Sequence, residues 1–381
     1  MGKKILITAT ELHMDQFWTQ HIKKLIERGN KVDLVCSHVG DRLDALKSKL
    51  SDLGNPRLTV VDLKRSPVSP HNIHGYFQLR NYFNENYYDI VITNEPVMGF
   101  MTRLAAITTR RKNGTKVIYF AHGFHFWQGA PRLNWMLFYP IEKIGGHFTD
   151  LLVTMNSEDF ELAKKHIKAG ECKYTYGIGV NLSSFHKKAG VRERKRQELG
   201  VDDNTFMLYS TSELTDRKNL RLAVEIVAEL KNRGYNVHFF DRGVGDQKEM
   251  LENYAKELCI EDSFTLLGYG KDIDEMCLAA DAFLFTSKQE GLPVAVMEAM
   301  SCGLPCVASK IRGVSDLIEN GSGGFVCSLG DVNEFCERII YLISHNDEAS
   351  REELTRNNVK KLEPYSFENV NSFICNLVES I

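Results

Sequence analysis

Short β-branched runs alternate with amphipathic segments along this chain, and the alternation occurs twice. In the first half "KKILITAT", "KVDLVCS", "YYDIVITN", "TKVIYFAHG" and "DLLVTMNS" have strand character, "DQFWTQHIKKLIERGN" reads as a helix stopped at Gly29, and "CKYTYGIGV" closes the half. In the second half "NTFMLYSTSEL", "YNVHFFDRG", "SFTLLGY", "DAFLFTS", "PCVAS" and "GGFVCS" are short strands. Between them lie helical "KNLRLAVEIVAELKNRG", "QKEMLENYAKELCI", "KDIDEMCLAA" and "PVAVMEAMSCG". Strand, helix, strand in this rhythm requires a parallel sheet with helices on both faces. A chain of 381 residues exceeds the roughly 250–300 at which one core usually divides, so the expectation is two doubly wound α/β domains. The first spans residues 1–181 and the second begins at 182, the change falling in the polar stretch "NLSSFHKKAGVRERKRQELG". The last segment, "YSFENVNSFICNLVESI", reads as helical.

Two such domains facing a central crevice bind ligands beyond the carboxyl ends of their strands. The stretch "QEGLPVAVMEAMSCGLPCVAS" follows one such strand. It reads as core, yet it holds two carboxylates, Glu290 and Glu298, with seven residues between them. A carboxylate among apolar side chains is costly unless something hydrogen-bonds it. Pro293 suits a first helical residue, and the free N–H groups of that helix start suit an anion such as a diphosphate. A carboxylate accepts two hydrogen bonds, which matches the vicinal hydroxyls of a ribose. One bound molecule would then engage both glutamates: a sugar at Glu290, phosphates at the helix start, a ribose at Glu298. The plain alternative is a helix-start charge plus a surface carboxylate.

Charge and cysteine narrow the setting. Residues 1–180 carry 24 Lys+Arg and 17 Asp+Glu, a difference of +7; the remainder carries 23 and 33, a difference of −10. That asymmetry suits an anionic lipid or phosphorylated partner for the first half, and without a long basic run it does not suit nucleic acid. The nine Cys contain no CxxC pair, which reads as free thiols in a reducing cytosol. The start "MGKKILITAT" has too short an apolar run for a signal peptide, and no stretch approaches the ~18 apolar residues of a spanning helix. The expected location is the cytoplasm, on the inner face of the cell membrane if the acceptor is lipid-linked.

The Glu-seven-Glu segment between "DAFLFTS" and "GLPCVAS" resembles the retaining glycosyltransferases of family four, which have the GT-B fold. "AHGFHFWQGAPRLNWMLFYPIEK", "FTDLLVTMNSEDFELAKK", "STSELTDRKNL", "LGYGKDIDEM" and "IRGVSDLIENGSGG" are similar to the exopolysaccharide and capsule branch of that family, in the same order along nearly the whole chain. The resemblance implies an acceptor-side domain over 1–181, a nucleotide-sugar-binding domain over 182–363, and a helix over 364–381 that crosses back to the first domain. It implies transfer of a sugar from a nucleotide donor, usually uridine diphosphate, with retained anomeric configuration and without a required metal or other cofactor. An N-acetylhexosamine is the favoured donor sugar, and the acceptor is a polyprenyl-diphosphate-linked or other glycan.

Carried onto this chain, Glu298 binds the donor ribose, and Glu290 faces the donor sugar with the backbone of Gly291 and Leu292 beside it. Lys218 in "LTDRKN" holds the diphosphate; a fixed cation there stabilises charge that develops on the leaving group. Most family members have an Arg five residues before that lysine. Here the position is Glu213, and Arg217 is the candidate replacement. His122, after "TKVIYFA", matches a family histidine near the donor sugar, with His125 a weaker neighbour. Gly243 and Gly245 in "DRGVGDQ" lack the third glycine of a dinucleotide fingerprint but match a family loop beside the nucleotide. Tyr269 in "LGYGKDI" belongs to the wall around the base. His13 and Asp15 in the first loop are acceptor candidates. The aromatic stretch 122–140, with Arg132 and Lys143, suits either a membrane interface or a packed core. Two rivals stand beside the transferase reading: a GT-B epimerase acting on a UDP-sugar, and a catalytically silent partner of another transferase.

Overall fold

The computed structural model describes residues 2–10, 18–37, 42–182 and 189–381. His13 and Asp15 lie outside them. The chain forms two compact units: Met1–Gly179 with Phe367–Ile381, and Val180–Ser366.

The strands of the first unit are β1 (Lys4–Ala9), β2 (Lys31–Ser37), β3 (Arg57–Val61), β4 (Ile90–Asn94), β5 (Lys116–Ala121), β6 (Leu151–Thr154) and β7 (Glu171–Tyr174). They form one parallel sheet in the order β3-β2-β1-β4-β5-β6-β7. The second unit holds β8 (Phe206–Ser210), β9 (Val237–Asp241), β10 (Phe264–Leu266), β11 (Ala282–Phe285), β12 (Cys306–Ser309) and β13 (Gly324–Cys327), in the parallel order β10-β9-β8-β11-β12-β13. The order reverses between β1 and β4 in the first sheet and between β8 and β11 in the second. Loops leaving the carboxyl ends of those pairs diverge there and open a binding crevice in each sheet.

Burial follows the pleat. In the second sheet Phe206 and Leu208 join one core layer with Phe239, Leu284 and Val307, while Met207 and Tyr209 join the opposite layer with Phe240, Phe283 and Phe285. A sheet covered on both faces needs continuous apolar strands rather than alternating ones, which is what the sequence supplies. The helix Leu220–Asn232 covers one face with Leu220, Val224, Val227 and Leu230 among its buried residues. Gly234, at φ +86°, takes the left-handed turn that ends it.

The closing helix, Phe367–Ser380, packs on the helix Thr19–Glu27 of the first unit. His21 anchors it. This buried imidazole lies 2.9 Å from Asn371 Oδ1 and 2.8 Å from the Ile178 carbonyl, and stacks on Phe367. Lys3 Nζ donates to the Val378 and Glu379 carbonyls, where a cation offsets the negative end of the helix dipole.

One expectation changes in the structure, that for Pro293, and two stretches gain detail. The polar stretch "NLSSFHKKAGVRERKRQELG" contains a helix, Val191–Leu199. Its Lys195 and Arg196 are buried, Lys195 beside Asp272 at 3.0 Å and Arg196 beside Asp281 at 3.1 Å. Paired charges replace the apolar stripe that would have announced it. Pro293 is the residue before the helix Val294–Ser301, with ψ 112°, rather than its first turn. The aromatic stretch divides its roles: Phe124 and Phe126 are buried and Trp135, Phe138 and Tyr139 pack around them. The exposed side of the helix Arg132–Gly146 is aliphatic instead, with Leu133, Met136, Leu137 and Ile144 in solvent. Its inner side is held by Glu142, which accepts from Arg103 at 2.9 Å and Tyr119 at 2.7 Å.

Candidate active site

The reversal point of the second sheet gathers the charged residues. The loop after β8 carries Arg217 and Lys218, and the loop after β11 carries Ser287 and Glu290. One carboxylate oxygen, Glu290 Oε1, accepts from Lys218 Nζ at 2.7 Å, Arg217 Nη1 at 2.8 Å and Ser287 Oγ at 2.7 Å. Glu290 is 11% exposed and Lys218 13%, so this is a half-sheltered ion cluster, which water screens less than a surface pair. The two loops are also tied through their backbones, since the Lys288 amide donates to the Arg217 carbonyl at 2.9 Å. Asn219, in the left-handed region at φ 54°, turns the first loop into its helix and donates to the Thr286 carbonyl at 3.3 Å.

Behind the cluster stands Arg312, which sequence reasoning passed over inside "IRGVSDL". It is nearly buried, and its Nε donates to the Glu290 carbonyl at 2.9 Å. Its neighbour Gly313, at φ +73°, approaches the same turn so closely that a Cβ there would sit 2.1 Å from the Gly291 carbonyl oxygen and 3.1 Å from Leu292 Cα. The Gly291–Leu292 turn is thus clamped from both sides. Two charged groups on the cluster, Arg217 and Lys218, share one carboxylate, which leaves the mouth net positive. The helix Val294–Ser301 starts beside it with no side-chain cap and no acidic residue in its first turn. Uncapped N–H groups and a surplus of cations suit an anionic ligand.

Glu298, one turn into that helix, answers differently from Glu290. Among the described residues no donor or cation reaches its carboxylate, and burial pushes its pKa up to about 7. A polar group so placed is costly to keep unless a ligand hydrogen-bonds it. Gly243 and Gly245 serve the packing of the loop after β9 on the loop after β8. A Cβ at Gly243 would lie 1.6 Å from the Ser212 carbonyl oxygen, and one at Gly245 would lie 2.3 Å from that of Leu214. Glu213 is exposed, and Arg217 directs its guanidinium to Glu290 and the Gln289 carbonyl. Tyr269 is 74% exposed and is not drawn into the cluster.

His122 belongs to the first unit, directly after β5. Asn94 Nδ2 donates to the Thr8 carbonyl at 3.3 Å, which leaves Asn94 Oδ1 to face His122 Nε2 at 2.9 Å. Nε2 therefore carries the proton and Nδ1 keeps its lone pair. Burial pulls the imidazole down to about 4, so it is neutral near pH 7 and can accept a hydroxyl hydrogen bond. Among the described residues no group of His, Cys, Asp and Glu is placed to hold a metal ion.

Comparisons with known proteins identify the family. Residues 191–361 match the model for glycosyl transferases group 1, and residues 15–171 match that for glycosyltransferase family 4. The chain is 34% identical to a putative glycosyltransferase, EpsD, of Bacillus subtilis, over 92% of this chain and 90% of the relative. It is 27% identical to an Escherichia coli UDP-Gal:α-D-GlcNAc-diphosphoundecaprenol α-1,3-galactosyltransferase, over 81% of this chain and 79% of the relative. Its fold matches that of HepE from Anabaena, solved with UDP, with a TM-score of 0.80 at 18% identity and complete coverage of both chains. That of WaaG, a glycosyltransferase involved in lipopolysaccharide biosynthesis, matches with a TM-score of 0.72 at 16% identity, covering 98% of this chain and 99% of the other. With its two parallel sheets in the GT-B fold, the chain belongs to glycosyltransferase family four, in the branch that builds exopolysaccharides and capsules.

Proposed function

We propose that this glycosyltransferase moves a hexose or N-acetylhexosamine from a UDP-linked donor to a lipid-linked glycan, with retention at the anomeric carbon and without a metal. The observation that carries the reading is the Glu290 cluster with Lys218 and Arg217 beside the uncapped start of Val294–Ser301, one turn from the carboxylate of Glu298, which has no partner among the described residues. Glu298 accepts from the ribose hydroxyls. The helix start and Lys218 hold the diphosphate, and Glu290 orients the donor sugar. The UDP held by HepE and the UDP-galactose and diphosphoundecaprenol in the name of the E. coli relative support this choice of donor and acceptor class.

In the transfer, an acceptor hydroxyl oxygen attacks the anomeric carbon as the bond from that carbon to the β-phosphate oxygen breaks. The hydroxyl proton passes to the departing phosphate, and UDP leaves with the electron pair. Lys218 stabilises the charge that grows there. The aliphatic face of the helix Arg132–Gly146, flanked by exposed Arg132 and Lys143, rests on the membrane that carries the acceptor. No helix of the described residues is long and apolar enough to cross one.

The test is a transfer screen: UDP-glucose, UDP-galactose and their N-acetylated counterparts, with a polyprenyl-diphosphate-linked sugar as acceptor and EDTA in parallel. NMR of the product reads the new linkage. An α-linked product from one UDP-sugar, unchanged by EDTA, supports the reading. An inverted linkage, or transfer only from a non-uridine donor, overturns it.

A further inference from the structure

The reversal point of the first sheet holds a second constellation, and it centres on Glu95. Thr10 follows β1, Arg65 follows β3, Glu95 follows β4 and His125 follows β5. Side chains from four strand ends thus meet around one cavity of about 220 Å³, which Phe138 also lines. The His125 ring stacks on Phe138 with centroids 4.5 Å apart.

Glu95 has a backbone that glutamate rarely adopts. Its φ of 64° and ψ of 155° fall in a region occupied almost only by glycine. The conformation is imposed from both sides. Pro96 begins the helix Pro96–Ala105, and Glu95 Oε2 accepts from the Thr10 amide at 2.6 Å. A glycine would adopt this backbone without strain. The carboxylate is therefore present despite its backbone, at the place where an open parallel sheet binds ligands.

We infer that this cavity is a sugar subsite, in which Glu95 accepts hydrogen bonds from the hydroxyls of the acceptor's terminal sugar ring. The chemistry of the lining fits a polyol. A carboxylate takes hydroxyl protons, a guanidinium and an imidazole supply donors, and the His125–Phe138 stack offers an apolar face for the C–H side of a pyranose. The inference rests on the proposed transfer to a glycan and names where that glycan is read.

The experiment uses the full chain as wild type, Glu95→Gly and Glu95→Gln. Saturation-transfer difference NMR, with UDP present, probes glucose, galactose, N-acetylglucosamine and N-acetylgalactosamine. Thermal unfolding and UDP calorimetry run on the same samples. The expected result is a sugar signal in the wild type that weakens at least tenfold in Glu95→Gly and partly in Glu95→Gln. The melting temperature of Glu95→Gly stays equal or rises by a few degrees, because strain is released. UDP affinity stays within twofold. A sugar signal that survives in Glu95→Gly, no sugar signal at all, or a melting temperature several degrees lower would overturn the subsite, the last because it makes Glu95 a structural tie to Thr10. Loss of UDP binding in all three proteins would count against the nucleotide site instead and leaves the sugar result standing.

Discussion

The ammonium of Lys218 lies 2.7 Å from the carboxylate of Glu290, on loops that leave two neighbouring strands of one sheet. An ammonium has three donors. One is spent on Glu290, so Lys218 can bind a phosphate oxygen without breaking the pair, and the pair fixes where it does so. In the proposed transfer, Lys218→Ala removes the cation that stabilises charge developing on the leaving group. Its turnover falls by about 10²–10³, the range for one lost transition-state donor, while the acceptor KM is unchanged. Steady-state kinetics with saturating donor reads both.

Glu298 gives a stability that depends on pH. Its folded pKa of about 7 lies above the ordinary carboxylate value near 4.3. Between these values the unfolded chain releases a proton that the folded chain keeps, so stability falls as pH rises through this window. Below it the buried carboxyl costs nothing electrostatically; above pH 7 the full penalty, on the order of 4 kcal/mol, is present. Glu298→Gln is therefore more stable than wild type at pH 8 and equal to it at pH 4.5, by urea unfolding at each pH. A gap that is constant with pH would contradict this origin.

His122 is held neutral, so it places no limb near pH 6.5 in the rate profile. Asn94→Asp replaces the Oδ1 partner of His122 Nε2 with a charged one and favours the imidazolium. The pKa rises toward neutrality and Nδ1 becomes a donor. The variant loses activity below about pH 7 and regains it above, an acid limb that wild type does not draw from His122, whose pKa of about 4 lies below the range. NMR titration of the imidazole checks the shift directly.

Gly313→Ala tests the clamp on the Gly291–Leu292 turn. The added methyl collides with the Gly291 carbonyl, and φ +73° penalises any side chain. The cost is of order 1–3 kcal/mol, seen as a lower denaturation midpoint. UDP affinity weakens with it, because the turn that leads into the Val294–Ser301 helix moves.

Much of this was legible in the sequence. The β-branched and aromatic runs and their spacing announce both sheets, since a strand covered on both faces is largely apolar, and Phe206–Ser210 is buried at every position. Glu290 and Glu298 stand out because carboxylates in an apolar segment need a reason, and Lys218 through the resemblance of "LTDRKN" to a family motif. Three features did not show. The helix Val191–Leu199 has no apolar stripe because it buries Lys195 and Arg196 against distant aspartates. Arg312 meets Glu290 across 22 residues through a backbone carbonyl, a contact that leaves no local pattern. Glu95 is ordinary in composition and unusual only in φ and ψ, which no spacing encodes.

The central claim is that the partner of Glu298 is a ribose. Calorimetric titration of UDP into wild type and Glu298→Ala, with GDP and ADP as controls, tests it most directly. The account predicts that UDP binds wild type more tightly than GDP or ADP, and that Glu298→Ala binds it at least tenfold more weakly while remaining folded. Equal UDP affinity in the two proteins would contradict it, because the buried carboxylate would then have no part in holding the nucleotide.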